Sequence, residues 1–191
     1  DGFYIELGGN DGLTQSNTAF FEFYRNWKGI LIEPSLKGYN LCIKNRPNSI
    51  CINKGCVSND YIGNTAKGNF SNNSLMGSID GIRQMGFDNS SIEISVTTLE
   101  KILDEINVKN IDLLSLDVEG YELEVLKGLN LNKYRPIYLL IEIYIDKFNE
   151  IVKYLSLNNY KLISNFSNYN KVDNPGWDGT HNDFLFCNSI S

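Results

Sequence analysis

Five times along this chain, a short apolar run gives way to a stretch of helical periodicity. The runs are "GFYIEL" (2–7), "KGILIEP" (28–34), "SICINKGCV" (49–57), "IDLLSLDVEG" (111–120) and "IYLLIEIY" (137–144). They are too short for long helices and too continuously apolar for a half-solvated strand, so they read as strands covered on both faces. Between them, "SNTAFFEFYRNW" (16–27) sets Ala19, Phe20, Phe23, Tyr24 and Trp27 on one helical face, with Ser16 or Asn17 as cap. "SLKGYNLCIKN" (35–45) starts at a Ser35 cap. "TTLEKILDEI" (97–106) carries a Thr97-x-x-Glu100 capping box and an apolar stripe of Leu99, Ile102, Leu103 and Ile106. "YELEVLKG" (121–128) stops at Gly128, and "DKFNEIVKYLSLN" (146–158) is the last helix. "YKLISN" (160–165) and "DFLFCN" (183–188) are two closing strands. Five β-α units followed by two strands predict a doubly wound α/β sheet in a single domain spanning 1–191.

Composition narrows the function. With 191 residues, 42% of them hydrophobic, the chain can bury one substantial core. Its formal net charge is −6 and its 17 Lys and Arg residues are scattered, which argues against nucleic acid as a partner. No apolar run reaches the ~20 residues of a membrane helix; "IYLLIEIYI" (137–145) is interrupted by Glu142. There is no signal-peptide pattern. The abundance of Asn, Ile and Lys suits an AT-rich genome, so the expected setting is the cytoplasm of a bacterium or a virus-infected host cell. Cys42, Cys51, Cys56 and Cys187 lack zinc-ligand spacing and are expected to be buried free thiols.

In a doubly wound sheet, ligands lie beyond the carboxyl ends of the strands. Those ends carry Gly8 to Gly12, Glu33, Asn53 to Ser58, Asp117 to Gly120 and Glu142 to Asp146. The first is a glycine-rich turn, yet it departs from the dinucleotide pattern G-x-G-x-x-G. Asn10 occupies the place of the middle glycine, and no glycine stands at the third. A pyrophosphate is therefore disfavoured, and no G-K-[ST] phosphate loop is present. S-adenosylmethionine, the other common ligand of this architecture, needs acceptors for an ammonium and two ribose hydroxyls. Glu6 lies in the preceding strand, and Glu33 ends the second strand 21 residues after Gly12 (33 − 12). An ordinary β-α turn with a solvated glutamate is the plain alternative.

"IELGGNDGLTQSNT", "WKGILIEP", "NRPN", "LLSLDVEGYELEVLKGL" and "HNDFLF" follow one another along almost the whole chain. Together they resemble the FkbM-type methyltransferases, class I enzymes that use S-adenosylmethionine to methylate hydroxyls on natural products and sugars. The block at 113–129 is the most specific part. The resemblance implies a Rossmann-like, seven-stranded, mostly parallel sheet whose last strand runs antiparallel. It also implies a methyl-donor site at Gly8, Asn10, Gly12, Asn17 and Glu33, beside Glu6 and Asp117. Class I enzymes usually have a helix before the first strand, so 1–191 is expected to be a domain cut from a longer chain, whose other domains are potential partners.

Methylating an alcohol requires removal of its proton. Asp117 is the first candidate base, and Glu142 ends the neighbouring strand. The two could act as base and orienter, or hold a divalent cation such as Mg or Mn as a Lewis acid. Glu119 opens the next helix and can simply complement its dipole. His181, the only histidine, closes a long loop, 166–182, that bears Phe166, Tyr169 and Trp177 among Asn and Asp residues. Aromatic faces beside amides and acids suit a polyhydroxylated sugar, so Tyr169, Trp177 and Asp183 are expected to bind the acceptor, with His181 assisting the chemistry. The Gly/Asn/Ser-rich stretch 58–91 reads either as an idle insertion or as a flap with Leu75, Met76 and Gly77 on the ligand. Three functions remain: O-methylation of a sugar or glycan, O-methylation of a lipid, polyketide or peptide hydroxyl, and a non-catalytic nucleotide- or ligand-binding module. "DVEG" stands where an adenine methyltransferase would carry [DN]PP[YF].

Overall fold

The computed structural model describes residues 1–69, 78–79 and 92–189. The elements run β1 (Phe3–Leu7), α1 (Ala19–Arg25), β2 (Lys28–Ile32), α2 (Leu36–Asn45), β3 (Ile50–Ile52), β4 (Gly55–Cys56), β5 (Thr65–Asn69), β6 (Ser78–Ile79), β7 (Ile92–Thr97), α3 (Leu99–Ile106), β8 (Leu113–Leu116), α4 (Glu122–Lys127), β9 (Tyr138–Tyr144), α5 (Phe148–Leu157), β10 (Tyr160–Asn165) and β11 (His181–Asn188).

Seven strands form the main sheet in the order β10-β11-β9-β8-β1-β2-β3. The pairs β1–β2, β1–β8, β2–β3 and β8–β9 are parallel. β11 is antiparallel to both of its neighbours. This is the expected doubly wound sheet with an antiparallel last strand. The chain reverses direction across the sheet between β1 and β8, so the ligand crevice lies at the ends of those strands.

Strand alternation sends side chains to two faces. Ile5, Leu7, Ile30, Ile32, Leu114, Leu116, Leu139, Ile141 and Ile143 share one core with Leu99, Ile102 and Leu103 of α3, Val125 and Leu126 of α4, and Ile151 and Leu155 of α5. On the other face, Tyr4, Leu113 and Leu140 pack with Phe21 of α1, Trp27 and Leu185.

Several local expectations are corrected. The helix predicted over 16–27 begins at Ala19, and Phe20, Phe23 and Tyr24 are exposed while Glu22 is buried. Glu22 wins the inner face because a buried arginine, Arg46, awaits it there at 2.6 Å. Ser16 still serves the helix start, its hydroxyl accepting from the Ala19 amide at 3.1 Å. The run 49–57 is two strands rather than one. Asn53 Nδ2 donates to the Glu33 and Pro34 carbonyls, both at 2.9 Å, and β4 then joins a second sheet in the order β4-β7-β5-β6. β5 and β6 lie within the stretch 58–91 read as irregular, and β7 follows directly after it, where Ile94 and Val96 alternate as buried residues. The cap of α3 is Thr98, one residue later than predicted, accepting from Lys101 N at 3.3 Å. Glu100 is thus free of the capping box and meets Lys133 at 3.3 Å. Leu75, Met76 and Gly77 lie outside the described residues. Of the four free thiols, Cys42 and Cys56 are buried and Cys51 and Cys187 only half so.

Candidate active site

The turn after β1 is fixed before any ligand arrives. Gly8 N and Gly9 N both donate to the Ile32 carbonyl, at 3.1 and 3.3 Å. Gly8, Asn10 and Gly12 all have positive φ, at 80°, 52° and 83°. Asn is among the few residues that tolerate this left-handed region, which explains how it can replace a glycine here. At Gly8 the reason for glycine is also steric: a Cβ would lie 1.8 Å from the Asp117 carbonyl oxygen.

Glu33, 4% exposed, joins this turn to the next crossover. Its Oε2 accepts from Asn10 N at 3.0 Å and its Oε1 from Ser35 N at 2.8 Å. Burial nevertheless pushes its carboxyl up to about 7. Gly38 makes room for it, since a Cβ there would meet Glu33 Cγ at 2.8 Å.

The cleft above the strand ends, about 1040 Å³ and open to solvent, is lined by Gly8, Asn10, Glu33, Asp117, Glu142 and His181. Thr14, Gln15, Lys54, Cys56, Ile79 and Glu119 also reach it. Six of the sequence-derived candidates therefore meet in one cavity. Glu6, Gly12, Asn17, Tyr169, Trp177 and Asp183 do not line it. Glu6 is buried beneath the turn, accepting from Ser16 Oγ at 2.9 Å, Asn17 N at 2.9 Å and Thr18 Oγ1 at 2.5 Å. Asn17 Nδ2 donates to Ser115 Oγ at 3.1 Å, and Gly12 ends the turn beside Arg46. Trp177 Nε1 donates to the His181 carbonyl at 2.8 Å, and Tyr169 N to Asn182 Oδ1 at 2.6 Å. The loop is thus 166–180, because His181 and Asn182 already belong to β11.

The carboxyl side of the cleft is acidic by construction. β9 and β11 pair Glu142 with Asp183 and Tyr144 with His181, so all four side chains share one face. Asp117 follows β8 in the adjacent position. Burial first, and then repulsion from Glu119 and Glu122, push Asp117 up to about 8. Burial and the Asp117 charge push Glu142 up to about 9. His181 Nε2 stands 3.3 Å from Glu142 Oε2, while Nδ1 is 2.9 Å from Thr180 Oγ1. Two polar atoms of the cleft residues, Glu142 Oε1 and Asn10 Oδ1, are buried with no hydrogen-bond partner among the described residues. Buried polar atoms are normally satisfied, so these two point to a ligand. Glu119 has φ 58° and accepts from Tyr144 OH at 2.9 Å. The helix-opening role weighed for it falls instead to Glu122, whose Oε1 accepts from Val118 N at 3.1 Å and Gly120 N at 3.0 Å.

Among the described residues, no group of three or more His, Cys, Asp or Glu residues is arranged to hold a metal ion. None of the described helices is long and apolar enough to cross a membrane.

Sequence reasoning missed the cleft-lining Thr14, Gln15 and Lys54, and it missed Arg46 beneath the turn. Arg46 was visible only as part of "NRPN", and a basic residue in a polar tetrapeptide gives no sign that it is fully buried. It lies between α1, α2 and the turn, bonded to both Glu22 and the Gly12 carbonyl.

The fold recurs in solved structures. Fibrillarin in its complex with Nop5p superposes with a TM-score of 0.57 at 14% identity, covering 98% of this chain and 73% of that one. The fibrillarin pre-rRNA processing protein of Methanococcus jannaschii gives 0.56 at 15% identity, covering 100% and 68%. A precorrin-6y C5,15-methyltransferase from Geobacter metallireducens gives 0.53 at 8% identity, covering 98% and 81%. At such identities the likeness is one of fold. None of the curated proteins compared with the chain matches it. The family model of the methyltransferase FkbM domain matches residues 6–162, from the buried glutamate of β1 into β10, and therefore takes in the glycine-rich turn, Glu33, Asp117 and Glu142. With most of its length matched and the crevice of a class I methyltransferase, the chain belongs to the FkbM methyltransferase family.

Proposed function

We propose that this domain transfers a methyl group from S-adenosylmethionine to a hydroxyl of a sugar or glycan. The observation that carries the reading is the unpartnered Glu142 Oε1, buried in the same cleft as Gly8, Asn10 and Glu33. The residues present suit the donor: Glu33 can reach ribose hydroxyls, and Asn10 Oδ1 and Asp117 offer acceptors to its ammonium. Gly12, Asn17 and Glu6 support the turn from behind. When bound, S-adenosylmethionine supplies a methyl on a sulfonium that departs without acid assistance.

The chain's own task is then to hold an alcohol in line and take its proton. Glu142 is proposed as the base. Burial and neighbouring acids raise its proton affinity, so its ionised form is a stronger base than an ordinary carboxylate, and His181 at 3.3 Å orients it. Asp117 accepts the donor's positive charge alongside. Tyr169 and Trp177 are proposed as an outer wall for the acceptor ring, with Asp183 completing the acidic face. The proposal gives Asp117 and Glu142 to the proton rather than to a Mg or Mn ion, because no third ligand joins them in a cluster among the described residues.

The test is transfer of labelled methyl from S-adenosylmethionine to a panel of saccharides, lipids and peptides, with and without EDTA. Transfer to a saccharide hydroxyl that persists in EDTA is expected. Activity lost in EDTA and restored by Mg or Mn would return the acidic pair to a metal. Transfer confined to a lipid or peptide would replace the acceptor class. Saturable S-adenosylhomocysteine binding without transfer to any member would make the domain a binding module.

A further inference from the structure

Arg46 has no place in the chemistry above, yet it is buried and densely hydrogen-bonded. It caps α2 at the C-terminal end and has 0% exposure. A guanidinium has five N–H donors, and all five are used. Nε donates to Glu22 Oε2 at 2.6 Å. Nη1 donates to the Gly12 carbonyl at 2.9 Å and Ser16 Oγ at 3.1 Å. Nη2 donates to Tyr4 OH at 2.9 Å and Thr18 Oγ1 at 3.0 Å. Glu6 Oε2 is 3.7 Å away, a second carboxylate beside the one guanidinium.

Burying such a charge costs several kcal/mol even when it is paired, and an apolar side chain would fill the space more cheaply. A rigid fork is useful where several acceptors must be held in fixed positions. Here those acceptors fall into two sets. Glu22 and Tyr4 sit on α1 and β1, and Ser49 Oγ braces Glu22 from below at 2.6 Å. Gly12, Ser16 and Thr18 belong to the segment between β1 and α1. Glu6, at the other end of that segment, grips the same Ser16 and Thr18 hydroxyls. The segment is therefore tied at its base to one buried ion cluster, while its outer part carries Asn10, Thr14 and Gln15 into the cleft.

We propose that Arg46 is a positioning residue of the methyl-donor site, holding segment 8–18, through the Gly12 carbonyl and the Ser16 hydroxyl, in the conformation that receives the donor. The inference rests on the donor-site reading of the cleft. It goes beyond that reading by assigning the turn's geometry to a residue that touches no ligand.

The test compares three variants by S-adenosylhomocysteine calorimetry, thermal melting and steady-state kinetics. Arg46→Lys keeps the charge and loses the fork. Gly12→Ala disturbs the same contact from the other side, since its Cβ would sit 2.9 Å from Arg46 Cγ at a φ of +83°. Ser49→Ala weakens the cluster on the side away from the turn. Arg46→Lys and Gly12→Ala should each weaken S-adenosylhomocysteine by about tenfold or more. Both should raise KM for S-adenosylmethionine with KM for the acceptor unchanged, and the double variant should lose less than the product of the two. Ser49→Ala should lower Tm but bind within about twofold of the parent, which separates positioning from mere stability. Should Arg46→Lys fail to fold, Gly12→Ala carries the comparison with Ser49→Ala. Parent-like affinity in Arg46→Lys or Gly12→Ala, or an equal loss in Ser49→Ala, overturns the proposal alone. A parent protein that does not bind S-adenosylhomocysteine overturns the donor-site reading and this inference with it.

Discussion

Glu33 has both carboxylate oxygens committed to backbone amides, one in the proposed donor turn and one at the cap of α2. Replacing it by glutamine puts an N–H where an acceptor is needed, so one amide must lose its partner. Glu33→Gln is expected to weaken S-adenosylhomocysteine binding by about tenfold, a difference of ~1.4 kcal/mol, as read by calorimetry. Unchanged affinity would remove Glu33 from the donor site. Asp117 differs because its carboxylate faces the cleft among other acids. Asp117→Asn relieves that repulsion, so the fold should survive by circular dichroism and even melt later. Turnover should fall by about two orders of magnitude or more if the charge serves the reaction. Breaking the Arg46–Glu22 pair should also register in stability. Glu22→Ala strands a buried guanidinium and should cost about 3–5 kcal/mol in a urea titration, whereas a loss below about 1 kcal/mol would mean that Glu6 alone suffices.

At the level of elements, β1 and β8 approach so closely at their ends that only a glycine fits. Gly8→Ala forces a Cβ against the Asp117 carbonyl and strains a left-handed backbone position, and each effect costs roughly 1–3 kcal/mol. A clear fall in the urea midpoint is therefore expected, together with loss of donor binding; a variant as stable as the parent would show that the strand ends are free to part. The central strands of the main sheet and its doubly wound class are legible because buried parallel strands are written as unbroken apolar runs that alternate with helices, whereas β5, β6 and β7 are not. The helix α1 was misread for the opposite reason. Its inner face is chosen by an ion pair with Arg46, and hydrophobic periodicity does not register a buried charge. Likewise the split between β3 and β4 depends on one asparagine side chain that bonds to the Glu33 and Pro34 carbonyls. Of the candidate site, the residues at strand ends could be placed from topology. Tyr169 and Trp177 could not, because an irregular loop has no period from which to read direction.

Across the whole molecule, the cleft concentrates negative charge in a chain already at −6. Glu33, Glu122, Asp117 and Glu142 all hold protons more tightly in the fold than their ordinary values of 3.8 to 4.5 imply, with the last two reaching about 8 and about 9. Between those limits the folded state binds more protons than the unfolded one, so stability is fully present below about pH 4 and declines as pH rises towards about 9. The carboxyls lowered in the fold, such as Asp11 and Glu22, titrate below this window and do not reverse its sign. Ligand-free protein should thus melt at progressively lower temperature from pH 5 to 9, with a shallower slope in Asp117→Asn; a flat or rising profile would contradict the burial of these groups. β11 adds a consequence in time. It follows β10 in the chain but lies between β10 and β9, and β10 pairs with no other strand of the main sheet. On the ribosome, β10 therefore has no neighbour to join until the segment after it has emerged. That late segment also brings His181 to Glu142. The final edge of the sheet and the proposed proton-handling pair are completed in one event, and a nascent chain halted before residue 181 would carry the glycine-rich turn and Glu142 without the histidine that meets that glutamate.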